Sequence, residues 1–113
     1  MKDNKPQEPT DGFRADQKQI DEWKKKHGEV HAVEVKDNEG NTKRAYFRKA
    51  DRPTLSAAMK FGSSDPMKFN DTLFTNCWLA GDDVIKTDDD MYLAASTAFA
   101  GTVKIREAEL KKL

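Results

Sequence analysis

The sequence predicts an α+β domain, an N-terminal β-hairpin followed by a small bundle of three or four α-helices. Residues 29–49 alternate apolar and polar side chains around a turn-rich centre, Asp37-Asn38-Glu39-Gly40-Asn41. From Asp51 onward the apolar residues recur at helical spacing. Two proline starts punctuate that helical half: Asp51-Arg52-Pro53, with Asp51 or Arg52 as the entry residue, and Asp65-Pro66. At 113 residues the chain fits one domain over 13–113 behind a leader.

Residues 1–12 carry two prolines, a glycine and almost no apolar content, and read as a disordered leader. Residues 13–28 read as a loosely docked helix. Asp16 is its cap, Ile20 and Trp23 form a thin apolar stripe, Lys24 to His27 lie at the negative end of the dipole, and Gly28 is the stop. In the hairpin, His31, Val33 and Val35 alternate with Ala32, Glu34 and Lys36. After the five-residue loop, Ala45 and Phe47 face one way and Arg44, Tyr46 and Arg48 the other. A lone hairpin is marginal in water, so its apolar face needs a cover. Thr42 to Lys49 leaves an open edge, and its basic residues oppose unregulated pairing.

The helical part, 51–113, opens with a stripe of Leu55, Ala58 and Met59 that ends near Gly62. Ser63-Ser64-Asp65-Pro66 starts the next helix, whose broad face carries Met67, Asn70, Leu73, Phe74, Cys77 and Trp78, with Gly81 as its end. Thr87-Asp88-Asp89-Asp90 resembles a capping box with Asp in place of Glu. A last helix then runs through Met91, Leu93, Ala94, Ala95, Ala98, Phe99, Thr102, Ile105 and Leu110, bent or broken at Gly101.

Composition narrows the function. Only 36% of residues are hydrophobic and 35% are charged, so the core is small and concentrated in part of the chain. Twenty acidic residues balance twenty basic ones, which argues against general nucleic-acid binding and against a polybasic membrane anchor. A single cysteine, no secretory signal and no long apolar run lead us to expect a soluble protein of a reducing cytoplasm.

The stretch Asn76 to Asp90 looks chemical, with five aspartates, Cys77 and Trp78. An EF-hand loop requires oxygen ligands at alternate positions and a glycine at the sixth, yet counting from Asp82 places Val84 third, and from Asp88 Tyr92 fifth. The aspartates read as helix caps and solvated connectors. Cys77 with His27 or His31 is the one conceivable nucleophile–base pair, but Leu73, Phe74 and Trp78 surround it in sequence, an apolar setting that opposes a thiolate. One cysteine and two histidines do not make a standard structural zinc site. The six glycines are scattered singly and build no phosphate loop. Lys24-Lys25-Lys26 beside Trp23 reads as a solvated helix end. No cofactor, metal or catalytic residue is implied.

The order of parts carries a resemblance. A charged leader and a hairpin ending in Tyr46-Phe47-Arg48-Lys49 precede Asp51-Arg52-Pro53-Thr54-Leu55, Asp65-Pro66-Met67-Lys68-Phe69-Asn70, Asn76-Cys77-Trp78-Leu79-Ala80-Gly81-Asp82 and an acidic-capped terminal helix. Over roughly residues 29–113 this resembles the small tail assembly chaperones of long-tailed bacteriophages and prophages. The resemblance implies a non-enzymatic protein that binds the tape measure protein and tail tube subunits in the bacterial host cell. Self-association is also compatible with the neutral charge. Phe69, Leu73, Phe74, Trp78, Tyr92 and Phe99 are the candidates for partner contact, each with core packing as its competing role. The alternative is a tail completion or head–tail connector subunit retained in the virion. A small enzyme using Cys77 stands as a third reading.

Overall fold

The computed structural model describes residues 10–62, 64–103 and 108–113. Its elements are α1 (Gln17–His27), β1 (Val30–Lys36), β2 (Thr42–Arg48), α2 (Arg52–Met59), α3 (Pro66–Cys77), β3 (Trp78–Gly81), α4 (Val84–Thr87) and α5 (Asp89–Ala100). The class is α+β as expected. The sheet, however, has three antiparallel strands in the order β1-β2-β3 and lies mid-chain, with α1 before it and a strand set among the later helices.

The expected hairpin with its five-residue loop forms, pairing Val30 opposite Arg48 through Lys36 opposite Thr42. Its turn is tied by the Asp37 carboxylate, which accepts from the backbone N–H of Glu39 and Asn41, both at 2.9 Å. The helix over 13–28 also forms, capped by Asp16, whose carboxylate accepts from Gln19 N–H at 2.8 Å. Gly28 ends it at φ +88°, a conformation that only glycine adopts cheaply. No residue of α1 is fully buried, in keeping with its thin stripe. Of the two entry residues left open for α2, Asp51 is the cap, and Asp65 caps α3; each is followed by proline in the first turn.

Three expectations about the elements are corrected. Helix α3 stops at Cys77, not at Gly81, and Trp78 turns into an extended conformation. Residues 78–81 are drawn onto the outer edge of β2, where Phe47 pairs with Trp78, Tyr46 with Ala80 and Ala45 with Gly81. Sheet pairing here outweighs helical continuation, because the unpaired edge of β2 offers backbone partners that a further helical turn would leave unused. Gly81 is consequently a packing glycine: a Cβ there would lie 2.7 Å from Ala45 Cα and 2.7 Å from the Arg44 carbonyl oxygen.

Second, β2 has no open edge, since β3 and the backbone of Thr10 cover it; Thr42 N–H donates to the Thr10 carbonyl at 2.9 Å. The leader is thus ordered from Thr10, while the rest of the expected disordered stretch lies outside the described residues. Third, the cap of α5 is Asp88, which accepts from Met91 N–H at 2.9 Å; Thr87 closes α4 and no capping box forms. Of the bend or break expected at Gly101, the break is what forms: α5 ends at Ala100 with Gly101 as C-cap, and residues 108–113, in the charged last third, are not helical; Ile105 lies outside the described residues.

The core sits between the sheet and the helical half. Ala45, Phe47, Ala58, Leu73, Cys77, Ile85, Ala95 and Phe99 are fully buried there, with Val33 and Phe74 nearly so. Phe47 is the hub. Its ring stacks on Phe99 with centroids 4.5 Å apart and meets Phe74 at 5.2 Å and Trp78 at 5.6 Å. Met59, expected on a buried stripe, is exposed, because α2 presents Thr54 and Ala58 inward instead. Met67 is likewise exposed, at the start of α3.

Candidate protein-binding site

Around the junction of α3 and β3 the apolar core reaches the surface in an open pocket of about 320 Å³. Asp71, Phe74 and Thr75 come from α3, Trp78 from the junction, Lys86 from α4 and Tyr92 from α5. The α3 positions follow from helical spacing: 71, 74, 75 and 78 share one side. The early end of α3 then swings Trp78 out of the helix, so its indole spans core and surface. One edge meets Phe47, and a tilted contact at 5.4 Å joins it to Phe74. Tyr92 stands edge-on to Phe74 at 4.8 Å, and its hydroxyl donates to the Asp71 carboxylate. Burial, then the hydrogen bond to Asp71 and the charge of that carboxylate, push the Tyr92 phenol well above its ordinary pKa, so it remains a donor throughout the physiological range. Lys86 Nζ lies 4.3 Å from the centroid of the Trp78 ring, a cation–π contact on the outer lip.

The result is an aromatic floor between one cationic lip and an acidic one. This arrangement can grip an apolar side chain and orient the polar groups beside it. It brings no nucleophile–base pair together.

The six candidate contact residues divide. Trp78 and Tyr92 are half-buried and line the pocket, and Phe74 forms its floor. Leu73 and Phe99 are fully buried and present no surface in this fold, while Phe69 is half-buried against the core. The charged members, Asp71 and Lys86, escaped sequence reasoning. Asp71 resembles any solvated helix residue. Lys86 had one signal, as the single base within an acidic connector.

Cys77 is fully buried, and burial raises its thiol pKa, which favours the unreactive protonated form. His31 packs edge-on against Phe99 and bonds Glu29 at 3.3 Å; burial, then the Lys26 charge, lowers the pKa of His27. Among the described residues no group of three or more His, Cys, Asp or Glu side chains converges as a metal cluster would. No described helix is long and apolar enough to cross a membrane.

Asp82, from the acidic stretch, has a structural task on the opposite face of the sheet. Its carboxylate accepts from Phe13 N–H at 2.9 Å and Arg44 N–H at 2.8 Å. The buried Arg44 guanidinium donates to Glu34 and Asp11, both at 2.7 Å, and to the Phe13 carbonyl at 2.9 Å. These bonds lock the end of the leader to the sheet. Trp23 of α1 then closes over Tyr46, with centroids 5.5 Å apart.

No family model matches the chain, and neither a curated protein nor a solved structure matches it.

Proposed function

We propose that this chain is a non-enzymatic tail assembly chaperone of a long-tailed phage or prophage. In this reading it binds the tape measure protein and tail tube subunits in the host cytoplasm while the tail is built. The observation that carries the reading is the open aromatic pocket of Trp78, Tyr92 and Phe74 between the Asp71 and Lys86 lips. Aromatic anchors in a partly desolvated pocket with a polar rim are the usual anatomy of a protein-binding hot spot. An amphipathic helix of the tape measure protein can insert one apolar residue there and set its polar flanks on the rim. The order of hairpin, proline-started helices and acidic-capped last helix supports the same family reading.

The test is co-expression with the tape measure protein, followed by size-exclusion chromatography with light scattering. The expected result is co-elution, with the partner soluble only when this chain is present. An insoluble partner beside the free chain would refute the proposal. Recovery of the chain from purified virions would replace it with the tail completion or connector subunit.

A further inference from the structure

Residues 10–27, the ordered leader and α1, form an arm over the polar face of β2, and the site it occupies is built by Asn41, Thr42, Arg44, Tyr46 and Asp82. The Thr10 carbonyl accepts from Thr42 N–H at 2.9 Å, and Thr10 N–H donates to the Asn41 side chain at 2.8 Å. Phe13 N–H donates to Asp82, Ala15 N–H donates to the Tyr46 hydroxyl at 3.2 Å, and Arg44 donates to Asp11 and to the Phe13 carbonyl. Trp23 closes the far end on Tyr46. No residue of α1 is fully buried, so this short set of contacts, not a core, holds the arm down.

The joint is short and strained. Only Gly28 and Glu29 separate α1 from β1, and Glu29 already bonds across the sheet, its carbonyl accepting from Lys49 N–H at 3.1 Å. The turn that lays the arm back on the sheet therefore falls on Gly28, at φ +88° and ψ −84°, close to the positive-φ γ-turn, which is rare and strained. A short tether gives the arm an effective concentration of about millimolar at its own site. A strained two-residue hinge works against that advantage, and it relaxes when the chain runs on from α1 into β1 without reversing.

We propose that the arm exchanges between copies: residues 10–27 of one chain occupy the same site on a second chain, with Gly28 as the hinge, giving a two-fold dimer. The occupant needs no new complementarity, because each bond of the closed arm is remade in the other copy. Net neutrality of the whole chain puts no long-range repulsion between the two. The exchange uses the face of the sheet away from the Trp78 pocket, so it stands or falls independently of the tail-assembly reading.

The experiment refolds the full chain from urea at protein concentrations up to about 1 mM, the range of the tethered arm's own effective concentration. Light scattering reads the mass, and isotope-filtered NMR is applied to dimers made from mixed labelled and unlabelled chains. The wild type is expected to yield a concentration-dependent dimer in which the Trp23–Tyr46 contact crosses between copies while Phe47–Phe99 stays within one. A Cβ at Gly28 meets nothing within 4 Å, so Gly28→Ala acts through the hinge backbone alone. It should tighten the dimer at least about tenfold, and Gly-Ser-Gly inserted after Gly28, which eases the reversal, should leave the chain monomeric. A wild type that stays monomeric throughout would overturn the proposal, as would a dimer whose Trp23–Tyr46 contact remains within each copy. A wild-type dimer that neither variant shifts would remove Gly28 as the hinge and overturn it equally.

Discussion

The two faces of the central strand β2 are held by different physics. On one face Ala45 and Phe47 enter an apolar core built by α2, α3, α4 and α5, where the aromatic rings of Phe47, Phe74 and Phe99 touch directly. On the other, Arg44 and Tyr46 are almost as deeply buried, but beneath the leader and α1, through named hydrogen bonds and ion pairs. Non-directional burial spreads its contribution over many contacts, whereas the polar face depends on a few bonds that each need a partner in place. The core face should therefore fail globally when damaged, and the leader face locally.

Phe47→Ala tests the first half of this contrast and carries the largest expected effect. Removing the hub ring should cost about 3–5 kcal/mol, a large share of the about 5–15 kcal/mol of a typical domain. Urea unfolding should show a much lower midpoint or no folded baseline. Next comes Gly81→Ala. The added methyl meets backbone atoms of Arg44 and Ala45 that cannot swing aside, so β3 must move off β2. The expected loss is about 1–3 kcal/mol, with accelerated amide exchange at residues 78–81.

Asp82→Ala sharpens the second half. It leaves the Phe13 and Arg44 N–H groups without their shared acceptor, at a cost of about 1–3 kcal/mol. Hydrogen exchange should rise first at residues 10–15 and in α1, while the Phe47 core remains protected. Acid should act on the same face. Hydrogen bonds from Arg14 and then Arg44 hold the Asp11 carboxyl below its ordinary pKa. A depressed folded-state value contributes stability that is present above the unfolded pKa and is lost as pH falls through the folded one. The leader contacts should therefore loosen below the ordinary aspartate range, visible as shifting amide resonances at residues 10–14, with the core unchanged. The smallest expected effect concerns Cys77. A thiol reagent at neutral pH should label it only at the rate of global unfolding, and rapid labelling of the native chain would break the account of that side chain.

The same contrast explains what the sequence disclosed. The hairpin followed from alternation about Asp37 to Asn41, and three helix starts followed from the caps and prolines near Asp16, Asp51 and Asp65, because these are local signals. The third strand did not. Trp78 to Gly81 fits the helical face of α3 equally well, and only the vacant edge of β2, more than 30 residues earlier, decides between the two. Arg44 was similarly opaque: its partners Asp11, Glu34 and Asp82 are scattered over the chain, and nothing near residue 44 announces burial. At the candidate site the aromatic members Phe74, Trp78 and Tyr92 were legible by type. Their sorting from Leu73 and Phe99 was not, because burial depends on where α3 ends.

The most direct test of the central claim, that the Trp78–Tyr92 pocket is where this chain holds its assembly partner, is co-expression of the tape measure protein with Asp71→Arg combined with Lys86→Glu. Both positions are exposed, so the fold should survive, as circular dichroism of the purified variant would verify. The account predicts that the wild-type chain keeps the partner soluble and co-elutes with it, while the folded variant loses both properties. A folded variant that still co-elutes with soluble partner would contradict the account and place the binding surface elsewhere on the molecule.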